Sequence, residues 1–461
     1  MITMNTKEWI AIAFGALTLT LAGCRQEPAV EPDPYDIVAH MRPGGEASTN
    51  MSSSKAFGQP VDGMTEEQTR KFDHGDYIFE HQFVPSGDVM SGLGPLYNNH
   101  TCDQCHPNEG RAPFPRNLNQ PSGFFLRISS GNDPVYGHIG VPGFGAQLQQ
   151  LAIKGVKPEA KFHVEWSEKV EVYDDGTKVV LHRPTFSISD TRIPLPAYYM
   201  LSPRIGMPTY GLGLLEAIPE EEILSHADPY DKDNDGISGK PNYVWDNEYK
   251  KVRIGRFGWK ANTSSVMEQT CQAFVNDMGL TNRLYPVEED WDRQGDGDPT
   301  TYEVPDDVLD AVVFYGRTLA VPAPRGLDRP VVKKGYKLFD EIGCAKCHVP
   351  TMHTGQTDVA ALSGQTIYCY TDMLLHDMGE DLADHRPDHL ADGHEWKTRP
   401  LWGIGLTYPV NRYEFYLHDG RARSLEQAIL WHGGEADHVK RKFKALSKDD
   451  RDAVLAFLRA L

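Results

Sequence analysis

The sequence predicts a mainly α-helical chain in two domains, the first interrupted by an insertion that contains a β-hairpin. Three observations predict it. A Cys-x-x-Cys-His run occurs twice, at Cys102, Cys105 and His106 and again at Cys344, Cys347 and His348. Ahead of each run a glycine is followed four residues later by phenylalanine, as Gly75 with Phe79 and Gly335 with Phe339. Between the runs lies more chain than two small helical domains need, and residues 162 to 188 of it alternate at strand period. The runs also carry a chemistry. Two thiols so spaced add across the vinyl groups of one porphyrin while the adjacent histidine reaches the iron, so each run is expected to hold one haem c covalently. A structural zinc site would place its second cysteine pair about 15 to 20 residues after the first, whereas these pairs stand about 240 apart.

With 461 residues and 40% hydrophobic content, the chain is long enough for two or three cores. The formal net charge of -19 repels nucleic acid and anionic membrane surfaces. It would steer in a basic partner, so a small redox protein such as a basic cytochrome is the expected electron donor or acceptor.

Residues 1–23 combine Lys7, an apolar run from Trp9 to Leu21 and a small-residue ending, which is the pattern of a signal peptide. Leu21-Ala22-Gly23-Cys24 resembles a bacterial lipobox, so Cys24 is expected to be lipidated. Arg25 stands where a retention signal for the inner membrane would show Asp, which points to an outer-membrane lipoprotein facing the periplasm. Residues 24–63, with Pro28, Pro32, Pro34 and three consecutive serines, read as a flexible tether.

The first haem domain is expected over 64–325. It opens at Thr65, which can cap a helix while Gln68 reaches back. A glycine on a helix face permits close crossing by another helix, which explains Gly75 and Gly335. Strands are expected over 162–173 and 178–188 around an Asp-Gly tip at Asp175-Gly176, as a surface decoration without an active role. Short helices follow from Pro219, from Ser264 to Met278 and from Pro305 to Leu319. Asp231, Asp233 and Asp235 precede Gly236 at the spacing of a calcium loop, although Asn242 stands where the bidentate Glu would be, so a structural calcium is expected there. The second domain, 326–461, reads as cytochrome c-like, with its last helix capped by Ser447 and striped by Val454, Leu455 and Leu458. Of the remaining cysteines, Cys271 fits an apolar helix face with Met267 and Val275, and pairing with Cys369 stays open.

A c-type haem also needs its sixth position decided, since a filled site exchanges electrons and an open one can meet an oxidant. Near the second run stand Met352, His353, His376, Met378, His418 and His432. Three segments resemble the C-terminal half of bacterial dihaem cytochrome c peroxidases and the dihaem enzyme that matures methylamine dehydrogenase: residues 396–402, Leu417-His418-Asp419-Gly420-Arg421, and Ser424-Leu425-Glu426-Gln427-Ala428. Residues 211–216, 255–260 and 375–379 look like motifs of the dihaem oxidoreductase family, dihaem peroxidases that also carry the label thiol oxidoreductase, which is similar from about residue 65 onward. No C-x-x-C pair is left free of haem, so thiol chemistry is not expected.

The resemblance implies several roles. In those peroxidases the distal ligand of the second haem is a methionine fourteen positions after the histidine of the His-Asp-Gly motif. Here that position, counted from His418, is His432, which implies bis-histidine ligation with His348 and a lower reduction potential. By order along the chain, Gln150 or Gln149 and then Glu216 match the distal glutamine and glutamate that handle peroxide at the first haem, whose proximal ligand is His106. His376 is another candidate near a haem, and Trp259 or Trp402 a candidate bridge between the two. The function so implied is a periplasm-facing dihaem oxidoreductase, peroxidase-like. Its C-terminal haem takes in electrons and its N-terminal haem reacts with peroxide or another oxidant. A non-catalytic dihaem electron-transfer lipoprotein is the alternative, and oxidation of side chains on a partner protein a third.

Overall fold

The computed structural model describes Tyr35 and residues 37–86, 90–287 and 302–461. The signal peptide, Cys24 and the first part of the tether lie outside the described residues. Among the described residues the α-helices are α1 (Glu66–Glu80), α2 (Cys102–Cys105), α3 (Leu212–Ala217), α4 (Glu220–Ser225), α5 (Val266–Met278), α6 (Asp306–Arg317), α7 (Pro330–Glu341), α8 (Thr407–Asn411), α9 (Leu425–Trp431), α10 (Asp437–Ala445) and α11 (Lys448–Ala460). None of them is long and apolar enough to cross a membrane.

Two helix crossings organise the chain from Ile37 onward. In the first, α1 packs on α6; in the second, α7 packs on α11. Each crosses at a glycine. A methyl at Gly75 would stand 2.6 Å from Tyr315 Cβ, and one at Gly335 would stand 2.9 Å from Phe457 Cβ and 2.6 Å from the Ala453 carbonyl carbon. The phenylalanine one turn on then reaches the histidine of its own run, with ring centroids 6.2 Å apart for Phe79 and His106 and 6.3 Å for Phe339 and His348. The starts of α1 and α11 follow from local chemistry. Thr65 Oγ1 accepts from Gln68 N at 3.2 Å while Gln68 Oε1 accepts from Thr65 N at 3.0 Å, and Ser447 Oγ accepts from Asp450 N at 3.2 Å. Each such cap contributes about 1 kcal/mol. The α11 stripe of Val454, Leu455, Phe457 and Leu458 is buried, and side chains of this size gain roughly 1.5–3 kcal/mol each on burial.

The expectation of a mainly α chain is overturned: the protein is 30% helical and 20% strand, in many small sheets. The reason is visible in composition. With 42 glycines and 32 prolines, the connections turn often and pair locally instead of extending helices, and α2 holds only 4 residues. The largest ladder is the expected hairpin, Lys161–Val172 with Lys178–Ser189, turning at Gly176 with φ +84°. A second sheet pairs Phe124–Ser129 with Met200–Ile205 on one side and Gln147–Leu148 on the other, all antiparallel.

The hairpin is more than decoration. Its tip grips the C-terminal helices: Tyr173 Oη donates to Glu426 at 2.7 Å, Arg451 meets Asp175 at 2.5 Å and Lys444 meets Glu171 at 2.6 Å. Gln427, also on α9, donates to the Val180 carbonyl. The strap therefore holds α9 and, just beyond its end, His432.

Candidate functional site

The second run leaves α7 at Gly343, whose φ of 102° is open to glycine and costly for other residues. A 3-10 turn, Cys344–Lys346, follows, and Cys344, Cys347 and His348 line a cavity. His432 lines the same cavity, as do Phe339, Leu425, Ile429 and Val454. His432 is the C-cap residue of α9, not a residue inside it.

Both imidazoles are set in the same way. His348 Nδ1 is 3.0 Å from the Tyr370 carbonyl, and His432 Nδ1 is 2.7 Å from the Ala428 carbonyl. Each bond fixes the tautomer and leaves Nε2 as a lone-pair donor, the arrangement usual for a metal-binding histidine. Burial, and then the neighbouring His432, push the His348 pKa down to about 4, and burial lowers that of His432. Both rings are thus neutral near pH 7. The two cysteines are free thiols, and burial pushes Cys344 up to about 12. Paired thiols beside an apolar cavity, with two neutral imidazoles lining it, fit a haem held by two thioethers.

The other candidates near this run separate cleanly. Met352 is buried in the core of the first crossing, and His353 pairs with Glu222 at the surface. His376 lines the cavity, but its Nε2 is 2.7 Å from Asp372 and its Nδ1 2.7 Å from Glu435. Burial opposes its charge, yet the Asp372 carboxylate raises its pKa well above the ordinary imidazole value, so it serves as a charged brace. His418 stacks on Trp396 at 3.9 Å. Met378 is the thioether that lines the cavity.

At the first run the proximal geometry repeats: His106 Nδ1 is 2.5 Å from the Met207 carbonyl. Burial, then the Asp277 carboxylate, push the Cys102 thiol up to about 12 and raise that of Cys105. Asp277 belongs to a buried polar group. Gln147 Nε2 donates to Asn98 Oδ1 at 2.6 Å and to Asp277 at 2.5 Å, and Asn98 also donates to Gln150 Oε1. In it Gln147 Oε1 and Gln150 Nε2 are buried without a partner. Gln149 differs, since its amide is spent on the Asn276 carbonyl at 3.0 Å.

Glu216 does not join this group. Arg317 grips its carboxylate, with Nη2 3.1 Å from Oε1, and Oε1 also accepts from Val266 N at 2.7 Å. Val266 opens α5, whereas Asn276 and Asp277 lie near its other end, so Glu216 and Gln150 are held apart by about 15 Å of helix.

The acidic loop does converge: ligand atoms of Asp231, Asp233 and Asp235 lie within 4.8 Å of one another. They are already engaged. Asp231 accepts from Asp235 N at 2.9 Å, and Lys346, inside the second run, reaches Asp235 at 2.5 Å. Ser238 adds a bond to Glu435 at 2.7 Å, so the loop is fastened to the second run. Trp259 lines the cavity and Trp402 belongs to the core of the first crossing. Cys271 and Cys369 are buried and unpaired, Cys271 lying against Met267 at 3.8 Å.

Two residues to which the sequence assigned no role are Arg111 and Arg399, the latter within the 396–402 segment; both line the cavity, with their guanidiniums 5.8 and 5.5 Å from the Trp259 ring. A third is Asp277. Arg111 stands five residues past His106 and could have been singled out for that; nothing local marks Asp277.

A family model described as "Di-haem oxidoreductase, putative peroxidase" matches residues 38–461. Among solved structures, a Kuenenia stuttgartiensis hydrazine synthase chain, pressurized with 20 bar xenon, is similar at 14% identity and a TM-score of 0.38, covering 99% of this chain and 100% of that one. No curated protein matches. Spanning the described residues from Val38 to the last, the match identifies the chain as a member of the dihaem oxidoreductase family, whose cofactors are two haems.

Proposed function

We propose that the protein is a dihaem c-type cytochrome oxidoreductase of the bacterial cell envelope, which reduces peroxide or a related oxidant with electrons from a small redox protein. One observation carries the proposal: a single cavity collects Cys344, Cys347, His348 and His432, with the Nδ1 of each imidazole tied to backbone and Nε2 left to bind. Bound haem supplies electron uptake at the second run and oxidant reduction at the first. The chain supplies the rest. His348 and His432 would hold the iron at the second site, and His106 would hold it at the first, each with Nδ1 tied to a backbone carbonyl. Trp259, in the cavity beside Arg111 of the first-run loop, is the side chain best set to couple the two sites. Reduction of hydrogen peroxide to two waters takes two electrons and two protons. Gln150, with an unpartnered buried amide, would orient the oxidant, and Asp277, whose pKa burial raises, is the carboxyl of the same buried polar group.

The helix crossings support one haem unit over 64–325 and another over 326–461. The net charge of -19 supports a basic cytochrome as partner. The Cys24 motif supports a lipid anchor on the outer membrane, facing the periplasm. Calcium at Asp231, Asp233 and Asp235 would have to displace Lys346.

Stopped-flow absorption and electron paramagnetic resonance of the half-reduced holoprotein mixed with hydrogen peroxide test the proposal. The expected result is one low-spin bis-histidine haem and one high-spin haem, with rapid reoxidation that slows in Gln150→Leu. Two low-spin haems indifferent to peroxide would instead mark an electron carrier.

A further inference from the structure

We propose that Arg111 and Arg399 form an anion site in the cavity and hold the propionate carboxylates of the haem bound there. This rests on the proposal that the second run carries haem c. Arg111 is 8% exposed, and its Nε and Nη1 are buried without a partner, as is Nε of Arg399. Neither guanidinium has a carboxylate partner among the described residues, and their cation-π neighbours are Trp259 for both and Tyr416 for Arg111.

Four buried arginines among the described residues do have carboxylate or carbonyl partners. Arg386 has Asp388 at 3.2 Å, Arg421 has Asp419 at 2.8 Å, and Arg204 has Asp388 at 3.6 Å and Asp384 at 3.8 Å. Arg256 has two carbonyls, those of Leu215 and Ile218. Buried guanidinium nitrogens without a partner are strongly disfavoured, so those of Arg111 and the partly buried Arg399, on one largely apolar cavity, call for an anionic ligand. Haem c matches this lining: an apolar macrocycle carrying two carboxylates at an edge other than the one its thioethers hold. Cys344 and Cys347 take the vinyl edge, and charge-assisted bonds from the arginines take the carboxylates. Together they set the in-plane orientation of the ring. Arg111 comes from the loop after the first run and Arg399 from the segment that follows Trp396, so seating this haem also fastens the two halves of the chain to each other.

A crystal structure of the unaltered holoprotein decides the matter. Propionate oxygens within hydrogen-bond distance of both guanidiniums are expected. Propionates directed elsewhere, or a free anion between the guanidiniums, overturn the inference. Spectroelectrochemistry gives a second readout. In Arg399→Gln and Arg111→Gln the second haem's midpoint potential should fall and gain a pH dependence as a carboxylate left without its cation takes up a proton, and Arg399→Lys should restore most of the potential. Unchanged potentials and pH profiles in both glutamine variants would also overturn it. A pyridine haemochrome assay separates the two levels: covalent haem with propionates elsewhere refutes this inference alone, while absence of covalent haem refutes the proposed function.

Discussion

Substituting Gly335 by alanine should cost the protein about 2 kcal/mol even though alanine is the better helix former. The added methyl would lie 2.6 Å from the carbonyl carbon of Ala453 and 2.9 Å from Phe457 Cβ, with the Ala453 oxygen closer still. These atoms belong to the backbone and first side-chain atoms of α11, so relief requires lifting α11 off α7. Overpacking of this kind costs about 1–3 kcal/mol and occasionally more, and a backbone clash belongs at or above the upper end. Helix propensity returns about 1 kcal/mol. Gly316, inside α6, is the control: a methyl there meets nothing nearer than Val266 Cγ1 at 3.7 Å, so Gly316→Ala should gain up to about 1 kcal/mol. Urea unfolding of the holoproteins, followed by circular dichroism and by the haem absorption band, reads both shifts. The band should also report the local change, because Phe339 lies 5.3 Å from Phe457 and 6.3 Å from His348 by ring centroid. If Gly335→Ala matches Gly316→Ala in stability, the close crossing does not govern the second site and the reasoning fails.

Burial pushes the carboxyl of Glu109 up to about 7 from its ordinary 4.5, with Tyr315 Oη 2.9 Å away. Because the folded value is raised, its contribution is fully present below 4.5 and is lost as pH rises through about 7, a loss of about 3 kcal/mol. Unfolding free energies across that window should therefore flatten in Glu109→Gln; an unaltered slope would assign the pH dependence to other groups. Glu216→Gln should lower stability by about 1 kcal/mol, since a partly exposed ion pair and one bond to the start of α5 are lost. The proposed peroxide reaction of the holoprotein should proceed at the same rate as without the substitution. A lost reaction in a variant of normal stability would return Glu216 to the first site's chemistry.

What could be read without the structure was short-range chemistry. The two Cys-x-x-Cys-His runs, the Thr65 and Gln68 cap, the Asp-Gly hairpin tip and the start of α11 each depend on residues within a few positions, so spacing suffices. Gly335 was legible too, because a glycine on an otherwise good helix face needs a reason, and α11 was the apolar helix left to supply it. The mainly α expectation failed where that logic stops. Long Gly- and Pro-rich connections between runs close into small ladders whose partners are chosen by proximity in the folded chain, as with Phe124–Ser129 and Met200–Ile205. The same holds for the sites. Sequence order set Glu216 beside Gln150 in role, but an ion pair to Arg317, 101 residues on, spends the one carboxylate, while a buried amide group leaves the other side chain with a free donor. By itself the sequence determined which residues have the spacing of a haem-binding run and where two helices can cross. Only the tertiary structure decided which charges are left uncompensated in the cavity, because that depends on what every other buried group has already bound.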